Sequence, residues 1–283
     1  MNEPSASPHC PLCQSTDAHC IEQSDAHHAV YCCSRCDLGF VAPLPARDEL
    51  AAAYDGAYYE PWRDTRQQSA RQIMWQRRVE LIARLAPAGG HLLDIGGGDG
   101  SFIAAASRAG YQLSATEFSE AGARIIRERV PHADVRVGEL LELELPSAEY
   151  DVITLWHSLE HMRHPFEVLR EVRRLLKPDG LLLIAVPNRN NRPMAALYRL
   201  LKGRAYPLFS LVSREIHLFH FSERSLRRAL ADAGFDVEPI GWDRSMVEPA
   251  KQWIDRIAAL SHLLGGPLWT EAMLAVARPR GSR

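Results

Sequence analysis

The chain has 283 residues, of which 46% are hydrophobic and 24% are charged, and its formal net charge is −2. This composition is typical of a soluble globular protein and gives no overall basic excess for nucleic-acid binding. The N-terminus lacks the basic and apolar regions of a secretory signal, and no apolar run approaches the roughly 20 residues of a membrane span. These features predict a cytoplasmic protein without a transmembrane segment.

The N-terminal residues 1–45 hold every cysteine of the chain. Two C-x2-C pairs, CPLC and CSRC, are 19 residues apart, which suits a tetrahedral four-cysteine zinc site. Cys32 could take the place of Cys33, although the C-x2-C spacing favours Cys33. Redox-active motifs would need a surrounding βαβ pattern, which this segment lacks. The sequence therefore predicts a small zinc ribbon with a structural Zn2+. Its predicted ligands are Cys10, Cys13, Cys33 and Cys36.

Two regions follow the ribbon. Residues 46–87 carry apolar side chains at near-helical spacing, which predicts a helical linker and N-terminal cap. From residue 88 to 283, strand-like segments alternate with amphipathic helices. The strand-like segments are HLLDI, YQLSATE, DVRV, YDVITLW, LLLIAVP, FDVEPIGW and AMLAVARP. Such alternation predicts an α/β fold with a doubly wound, mostly parallel sheet.

The turn after the first of these strands reads LDIGGGDGSF. In a doubly wound sheet, ligands bind beside this turn at the carboxyl ends of the strands. A phosphate-binding P-loop would need a Gly-Lys-Ser/Thr ending, and the turn has no lysine. A dinucleotide motif GxGxxG/A would place glycine or alanine where Ser101 stands. The glycines instead follow a GxGxG spacing at Gly96, Gly98 and Gly100.

Acidic side chains surround this turn. Asp94 and Asp99 flank it, and Glu117 ends the second strand, followed by Phe118. Carboxylates would repel a pyrophosphate, whereas they would attract a ligand with an ammonium group. A carboxylate at the end of the second strand can also accept two hydrogen bonds from a ribose diol. These residues favour a nucleoside with a cationic amino-acid tail as the ligand.

The motifs resemble those of the class I S-adenosylmethionine-dependent methyltransferases. DIGGGDG is similar to the DxGxGxG motif of that family, YDVITLWHSLEH to its fourth-strand motif and LLKPDGLLLIAVPN to its fifth-strand motif. HLFHFSERSLRRALADAGFDV is similar to the segment before its sixth strand. The resemblance extends over roughly residues 65–278. It implies a Rossmann-like, seven-stranded sheet of order 3-2-1-4-5-7-6, with the last strand antiparallel.

The resemblance also implies S-adenosyl-L-methionine as the cofactor. Glu117 matches the ribose-binding acidic position, and the loop VGELLEL after the third strand implies adenine contacts. Glutamate at position 139 departs from the aspartate common there. Trp156, at the end of the fourth strand, is expected to line the cofactor pocket. The predicted cofactor-binding residues are Asp94, Gly96, Gly97, Gly98, Asp99, Gly100, Glu117, Phe118, Glu139, Leu140 and Trp156.

The segment WHSLEHMRH, after the fourth strand, carries the main catalytic candidates. His157 could act as a general base, because an ordinary histidine pKa near 6.5 suits proton abstraction. Alternatively, His157, Glu160 and His161 could ligate a divalent cation that polarises an oxygen nucleophile. Some ubiquinone-pathway O-methyltransferases look similar here, but they have glutamate at the position of His157. A third interpretation is that Glu160 and His161 brace the turn.

An insertion at about residues 189–216 follows the fifth strand. An insertion at this place usually forms a lid or a substrate wall. Its apolar residues and five arginines suit an amphiphilic or anionic acceptor, and residues 193–213 could contact a membrane surface. A helix packed on the domain would show the same pattern. The motif EIHLFHF comes next, and we predict His217 as a further catalytic residue, with packing of His217 and His220 as the alternative.

These observations predict a methyltransferase that acts on a small-molecule, sugar or lipid-linked glycan acceptor, through an oxygen atom. The ribbon and the arginines of residues 163–174 and 189–214 leave RNA as an alternative acceptor, because both could contact phosphates. A function of a different class is a non-catalytic module that binds S-adenosylmethionine.

Overall fold

The computed structural model describes residues 8–53, 68–86, 88–213, 215–245 and 248–281. Within these ranges the chain forms two β-sheets. In chain order the strands are β1 (Ala18–Gln23), β2 (Ala29–Cys33), β3 (Gly39–Ala42), β4 (His91–Ile95), β5 (Gln112–Glu117), β6 (Asp134–Val137), β7 (Tyr150–Trp156), β8 (Leu176–Pro187), β9 (Phe219–His220), β10 (Phe235–Val237), β11 (Gly241–Trp242) and β12 (Ala272–Pro279).

The helices connect these strands. They are α1 (Arg47–Ala53), α2 (Gln68–Leu85), α3 (Ser101–Ser107), α4 (Glu120–Arg129), α5 (Pro165–Leu175), α6 (Arg192–Lys202), α7 (Glu223–Asp232) and α8 (Pro249–Leu263). Ser222 caps the start of α7, where its Oγ accepts a hydrogen bond from Ser225 N at 3.2 Å. In the predicted linker, residues 54–67 lie outside the described residues. In the described part of the chain, no helix combines the length and the apolar character needed to cross a bilayer.

The larger sheet has the strand order β6-β5-β4-β7-β8-β12-β10. Counted within this domain, the order is 3-2-1-4-5-7-6, as the resemblance implied. Strands β4 to β8 are parallel to one another, and β12 is antiparallel to both of its neighbours. The segment FDVEPIGW forms two short strands, β10 and β11, instead of the single strand predicted. Pro239 lies between them and has no N–H for a ladder hydrogen bond.

The hydrophobic core lies on both faces of this sheet. Along β8, Leu182 and Ile184 pack with α5, α7 and the ribbon, whereas Leu181 and Leu183 pack with α2, α3 and α4. Because side chains alternate across a strand, one apolar strand serves both layers. The central strands are therefore buried on both faces of the sheet.

The cysteine-rich segment forms its own antiparallel sheet, of order β1-β2-β3-β9. The fourth strand comes from the segment after β8, with Phe40 paired to Phe219. Arg189 and Asn190 both bond the carboxylate of Asp37. The apolar residues of the ribbon join the same core cluster as α5 and α7. The ribbon is thus packed against the larger domain.

Candidate active site

A cavity opens at the carboxyl ends of β4, β5 and β7, the edge at which doubly wound sheets bind ligands. The glycine turn, the end of β5, the loop after β6 and the segment after β7 supply its walls. Arg47 and Leu50 of α1 complete one side. The predicted cofactor residues that line the cavity are Gly96, Gly98, Glu117, Phe118, Glu139 and Leu140.

Three glycines of the turn adopt left-handed backbone angles, with φ of 76° at Gly96, 57° at Gly98 and 71° at Gly100. A Cβ on Gly96 would lie 2.7 Å from Ser158 Cβ, and one on Gly100 would lie 3.2 Å from Ile126 Cα. A Cβ on Gly98 would meet no atom closer than 4.0 Å. Packing therefore requires glycine at two of these positions, whereas Gly98 leaves open space at the cavity wall.

Glu117 connects the end of β5 to the glycine turn. One of its carboxylate oxygens accepts a hydrogen bond from Gly98 N at 2.8 Å, and the other accepts one from Ser119 N at 3.2 Å. The side chain is buried, yet it lines the cavity. Because each carboxylate oxygen can accept more than one hydrogen bond, Glu117 has the geometry to receive a ribose diol.

The two aspartates of the turn lie behind the cavity wall. Asp94 is buried and accepts a hydrogen bond from Thr154 Oγ1 at 2.7 Å. Burial raises the pKa of Asp94 to about 7, and it outweighs the hydrogen bond from Thr154 and the positive charge of Arg78. Asp99 instead accepts a hydrogen bond from Ser101 Oγ at 2.6 Å and pairs with Arg129 at 3.0 Å. Asp99 therefore stabilises the start of α3 and the contact with α4.

Trp156 also lies behind the wall, in the core between the sheet and α2. Its ring packs against Phe102 with a centroid distance of 5.3 Å. The guanidinium of Arg78 lies 4.2 Å from the ring centroid of Trp156 and 4.7 Å from that of Trp75. Both distances are within the range of cation–π attraction. Gly97 is also outside the cavity, because a Cβ there would lie 2.8 Å from Ile126 Cδ1.

His157 lies on the cavity wall directly after β7. Its φ of 53° is left-handed, a conformation that costs a non-glycine residue about 1 kcal/mol or more. The His157 N–H donates to Ala185 O at 2.9 Å, and its Nε2 lies 3.0 Å from Asp243 Oδ2. Burial alone would lower the pKa of His157. The hydrogen bond and charge of Asp243, with the charge of Glu160, outweigh burial and raise that pKa above 6.5.

Asp243 joins His157 to a buried arginine. The same oxygen that contacts His157 accepts a hydrogen bond from Arg78 Nη2 at 2.6 Å. Burial would raise the pKa of Asp243, but the charges of Arg78 and His157 and their hydrogen bonds hold it well below its usual range. Asp243 is therefore ionised, so its Oδ2 can only accept a hydrogen bond, which a neutral His157 donates from Nε2–H. The Nδ1 of His157 then carries the lone pair.

Glu160, His161 and His217 form a second group beside His157. One donor atom from each lies within 4.8 Å of the others. The carboxylate oxygens of Glu160 are buried and have no hydrogen-bond partner in the described structure, and burial raises the pKa of Glu160. His161 Nδ1 bonds Ile216 O at 2.8 Å, which directs its Nε2 toward Glu160 at 3.9 Å. Burial lowers the pKa of His217 well below 6.5, so this ring is neutral. The three side chains could hold a divalent cation.

Residues 66–240 match the family of methyltransferase domains. The chain belongs to this family. The resemblance to class I S-adenosylmethionine-dependent methyltransferases that the sequence motifs indicate is thereby confirmed.

The methyltransferase domain has curated relatives of moderate similarity. An S-adenosylmethionine-dependent methyltransferase of Mycolicibacterium smegmatis is 31% identical over 172 residues, which cover 60% of this chain and 62% of the relative. The ubiquinone biosynthesis O-methyltransferase of Pseudomonas paraeruginosa is 31% identical over 172 residues, which cover 58% of this chain and 72% of the relative. The chain thus spans about 62% of the length of its mycobacterial relative.

Solved structures show the same methyltransferase fold. A chain in the complex between the Haloferax volcanii Trm112 methyltransferase activator and a methyltransferase superimposes with a TM-score of 0.55 at 20% identity, covering 83% of this chain and 100% of that one. The TehB-like S-adenosylmethionine-dependent methyltransferase of Corynebacterium glutamicum gives 0.53 at 17% identity, covering 80% and 100%.

The N-terminal ribbon, which precedes the methyltransferase domain, carries the predicted four-cysteine group. The sulfur atoms of Cys10, Cys13, Cys33 and Cys36 all lie within 4.8 Å of one another. Cys10 Sγ is 3.5 Å from Cys36 Sγ, and Cys13 Sγ is 3.5 Å from Cys33 Sγ. These separations suit four thiolates around one tetrahedral Zn2+. The thiol of Cys32 is turned toward Asp37, and Cys20 is exposed, so neither belongs to the group.

Two residues of the methyltransferase site escaped sequence reasoning. Asp243 follows the apolar segment FDVEPIGW, and a carboxylate just after a strand is a signal that could have been followed. Arg78 is a charge on the buried face of α2, next to Val79. No sequence motif links these two residues to each other or to His157, because Arg78 and Asp243 are 165 residues apart. Only the fold brings the three together.

Proposed function

We propose that the chain transfers a methyl group from S-adenosylmethionine to an oxygen atom of a small-molecule, sugar or lipid-linked glycan acceptor. The observation that carries this proposal is His157 on the cavity wall with its Nε2 held by buried Asp243. When bound, the cofactor supplies an electrophilic methyl group on a sulfonium sulfur. An acceptor hydroxyl must lose its proton as it attacks, and a histidine at this position can take that proton.

The cavity residues suit the parts of the cofactor. Glu117 has carboxylate oxygens for the ribose diol, and Phe118 and Leu140 offer apolar surface for adenine. The open backbone at Gly98 lets the amino-acid part approach closely. Glu139 is drawn toward Arg47 at 3.4 Å. The remaining predicted cofactor residues do not line the cavity, and in this proposal they support its wall through their packing. They are Asp94, Gly97, Asp99, Gly100 and Trp156.

In the proposed mechanism, Asp243 fixes the tautomer of His157. The Nε2 proton points to Asp243, so Nδ1 is the basic nitrogen that receives the acceptor's proton. The resulting imidazolium lies beside an ionised carboxylate, which stabilises it. Arg78 in turn keeps Asp243 ionised. His157 is the catalytic residue, whereas Asp243 and Arg78 position it.

A cation-assisted mechanism is a second candidate, favoured by the buried carboxylate of Glu160, whose oxygens have no hydrogen-bond partner and lie 3.8 Å from His157 Nδ1 and 3.9 Å from His161 Nε2. Together Glu160, His161 and His217 present one oxygen and two nitrogen donors, a set that suits a transition metal. The mechanism predicts that chelation abolishes turnover and that added Mn2+ or Fe2+ restores it. Glu160→Gln would lose that dependence. If chelated enzyme keeps full turnover, Glu160 and His161 brace the turn instead.

We further propose that the four cysteines hold a structural Zn2+. All four sulfur positions are occupied by protein thiols, so the coordination sphere is closed and the metal would stabilise the fold without catalysing a reaction. β3 pairs with β9, which begins two residues after His217, so the zinc would also support the segment that carries His217.

The RNA alternative has weaker support. Within residues 163–174, Arg170 pairs with Glu167 at 3.7 Å, and Arg174 pairs with Glu171 at 2.5 Å. Arg170 and Arg174 are therefore neutralised locally, so that among the arginines of this alternative those of residues 189–214 carry most of its support. Steeply salt-dependent binding of rRNA would support this alternative.

The cytoplasmic location indicated by the sequence stays a prediction.

The proposal is tested by calorimetry with S-adenosylhomocysteine, followed by a methyl-release assay against hydroxyl-bearing metabolites, glycans and rRNA. We expect wild-type protein to bind the nucleoside and to methylate a hydroxyl acceptor. His157→Ala should keep wild-type affinity for S-adenosylhomocysteine but lose about 100-fold or more in kcat. Near-wild-type turnover in this variant would exclude the base role. Nucleoside binding without any methyl transfer would identify a non-catalytic module.

A further inference from the structure

Helix α8 turns its large apolar side chains away from the protein. Its buried face consists of Asp255, Ala258 and Ala259. The apolar side chains of the opposite face are 58% to 81% exposed. Their spacing of i, i+4, i+7 and i+11 is nevertheless that of the core-facing stripe of an ordinary helix. These residues are Trp253, Ile257, Leu260 and Leu264.

The rotation of α8 about its axis is fixed by buried polar contacts. Asp255 accepts a hydrogen bond from Glu271 N at 2.6 Å and another from Trp242 Nε1 at 2.5 Å. Turning the helix to bury its apolar stripe would break both bonds and leave the buried carboxyl group of Asp255 without hydrogen-bond partners, which is unfavourable. The exposed stripe is therefore a built feature of the fold.

The insertion after β8 adds to this surface. Helix α6 packs against α8 and has no buried side chain among its residues. The exposed apolar side chains of α6 and the segment after it are Leu200, Leu201, Tyr206 and Val212, with exposed fractions between 61% and 96%. We call residues 192–213 together with α8 the α6–α8 surface. Contiguous exposed apolar area of this kind marks an interaction site.

The exposed charged side chains of the α6–α8 surface are mostly basic. Residues 192–213 contain four basic side chains and no acidic one. Arg199, Lys202 and Arg204 are exposed, and in the described part of the chain none of them has a carboxylate within 4.0 Å. On α8, Asp255 is buried and Lys251 pairs with Glu248, which leaves Arg256 as an exposed cation. Apolar side chains among unpaired cations match a bilayer that contains anionic lipids.

The surface lies at the cavity edge of the sheet. Helix α6 follows the carboxyl end of β8, and α8 lies between Asp243 and β12, whose first residue pairs with Pro187 at that same end. We propose that the α6–α8 surface docks on anionic lipid bilayers. Resting on the proposed methyl transfer, this places the cavity at the membrane, where an acceptor carried by a lipid could reach it.

Vesicle flotation of the full-length protein tests the docking. We expect binding to vesicles of phosphatidylcholine with 30% phosphatidylglycerol and little binding to phosphatidylcholine alone. Ile257→Ser/Leu260→Ser/Leu264→Ser should reduce the bound fraction more than tenfold, and Lys202→Glu/Arg204→Glu should reduce it about tenfold per reversed charge. Matched controls are Ile73→Ser, an exposed apolar position on α2, and Arg108→Glu/Arg124→Glu, exposed cations elsewhere. Both controls should bind like wild type.

Tryptophan fluorescence gives a second readout. Adding the anionic vesicles should shift the emission of wild-type protein to shorter wavelength, and Trp253→Phe should remove most of that shift. Equal binding to both vesicle types, or binding unchanged in the serine variant, would overturn the proposal. So would a dimer of wild-type protein that does not float and that the serine variant converts to a monomer, because α8 would then bind a second copy.

The experiments distinguish a failure of the methyltransferase proposal from a failure of the docking proposal. Affinity for S-adenosylhomocysteine should be the same in wild type and in all surface variants, since none of the changed residues lines the cavity. Loss of nucleoside binding in wild type would contradict the methyltransferase proposal and leave the flotation result intact. Flotation that fails while nucleoside binding persists would contradict the docking alone.

Discussion

Asp243 Oδ2 lies 3.0 Å from His157 Nε2, across 86 residues of sequence. One residue follows β7 and the other follows β11, so the contact spans the open edge of the sheet. Because the same oxygen binds Arg78, a buried ion pair sets the charge and orientation of the histidine at the cavity. When His157 is neutral, this contact favours the tautomer with the proton on Nε2, facing Asp243, and the lone pair on Nδ1.

Replacing Asp243 should change the pH profile in a defined direction. Only neutral His157 can act as a base, so kcat/KM should rise with pH through the pKa of His157, which Asp243 raises. Asp243→Asn removes that charge and lowers the pKa, so the acidic limb should move to lower pH. The plateau should fall about 100-fold or more, because the tautomer is no longer fixed. Asp236→Asn, an exposed change on β10, is the control. An unmoved acidic limb would contradict the role of His157.

Two glycines provide a matched test of the turn. Gly98 and Gly110 both have positive φ, and a Cβ on either would meet no atom closer than 4.0 Å. Gly98→Ala and Gly110→Ala should each lower the free energy of unfolding by about 1 kcal/mol, from backbone strain. Only Gly98→Ala should weaken binding of S-adenosylhomocysteine, because only Gly98 lines the cavity. Equal nucleoside affinity in the two variants, measured by calorimetry, would place the ligand elsewhere.

Glu117→Gln tests the ribose contact. The amide keeps the shape of the side chain and an oxygen for Gly98 N, but it loses the negative charge and the hydrogen bond from Ser119 N. Hydrogen bonds to a charged group contribute about 1.5–3 kcal/mol, so affinity for S-adenosylhomocysteine should fall about 10- to 100-fold. Glu120→Gln, at the exposed start of α4, should bind like wild type. An affinity for Glu117→Gln within threefold of wild type would argue against the contact.

Removal of the zinc should act on both the fold and the active site. Cys13→Ser should release about one zinc per chain, measured by metal analysis. It should lower the free energy of unfolding by about 4 kcal/mol when zinc is present at about a thousand times its Kd. Methyl transfer should fall as well, since the β3–β9 pairing is adjacent to His217. Cys20→Ser changes an exposed thiol outside the group and should keep the zinc. Purified wild-type protein without zinc would refute the assignment.

The local sequence carried much of the fold. The unbroken apolar run in LLLIAVP and the glycine spacing in DIGGGDG depend on neighbours along the chain, so the main strands and the cofactor turn were predictable. The prediction that FDVEPIGW forms a single strand was wrong, because Pro239 interrupts the hydrogen-bond ladder that the apolar pattern of this segment suggested. The strands of the ribbon were missed, since short strands around cysteines show little periodicity.

The sequence by itself determined the family, through residues whose spacing is local: the glycines around Gly98, Glu117 at a strand end, and the paired cysteines. Only the tertiary structure decided which residues meet. It set Asp99 against Arg129, joined Asp243 to His157 and Arg78, brought His217 to Glu160, and turned Trp253 outward. The physical reason is that a motif encodes contacts a few residues apart. Pairing between buried charges depends instead on the path of the whole sheet, which no single segment contains.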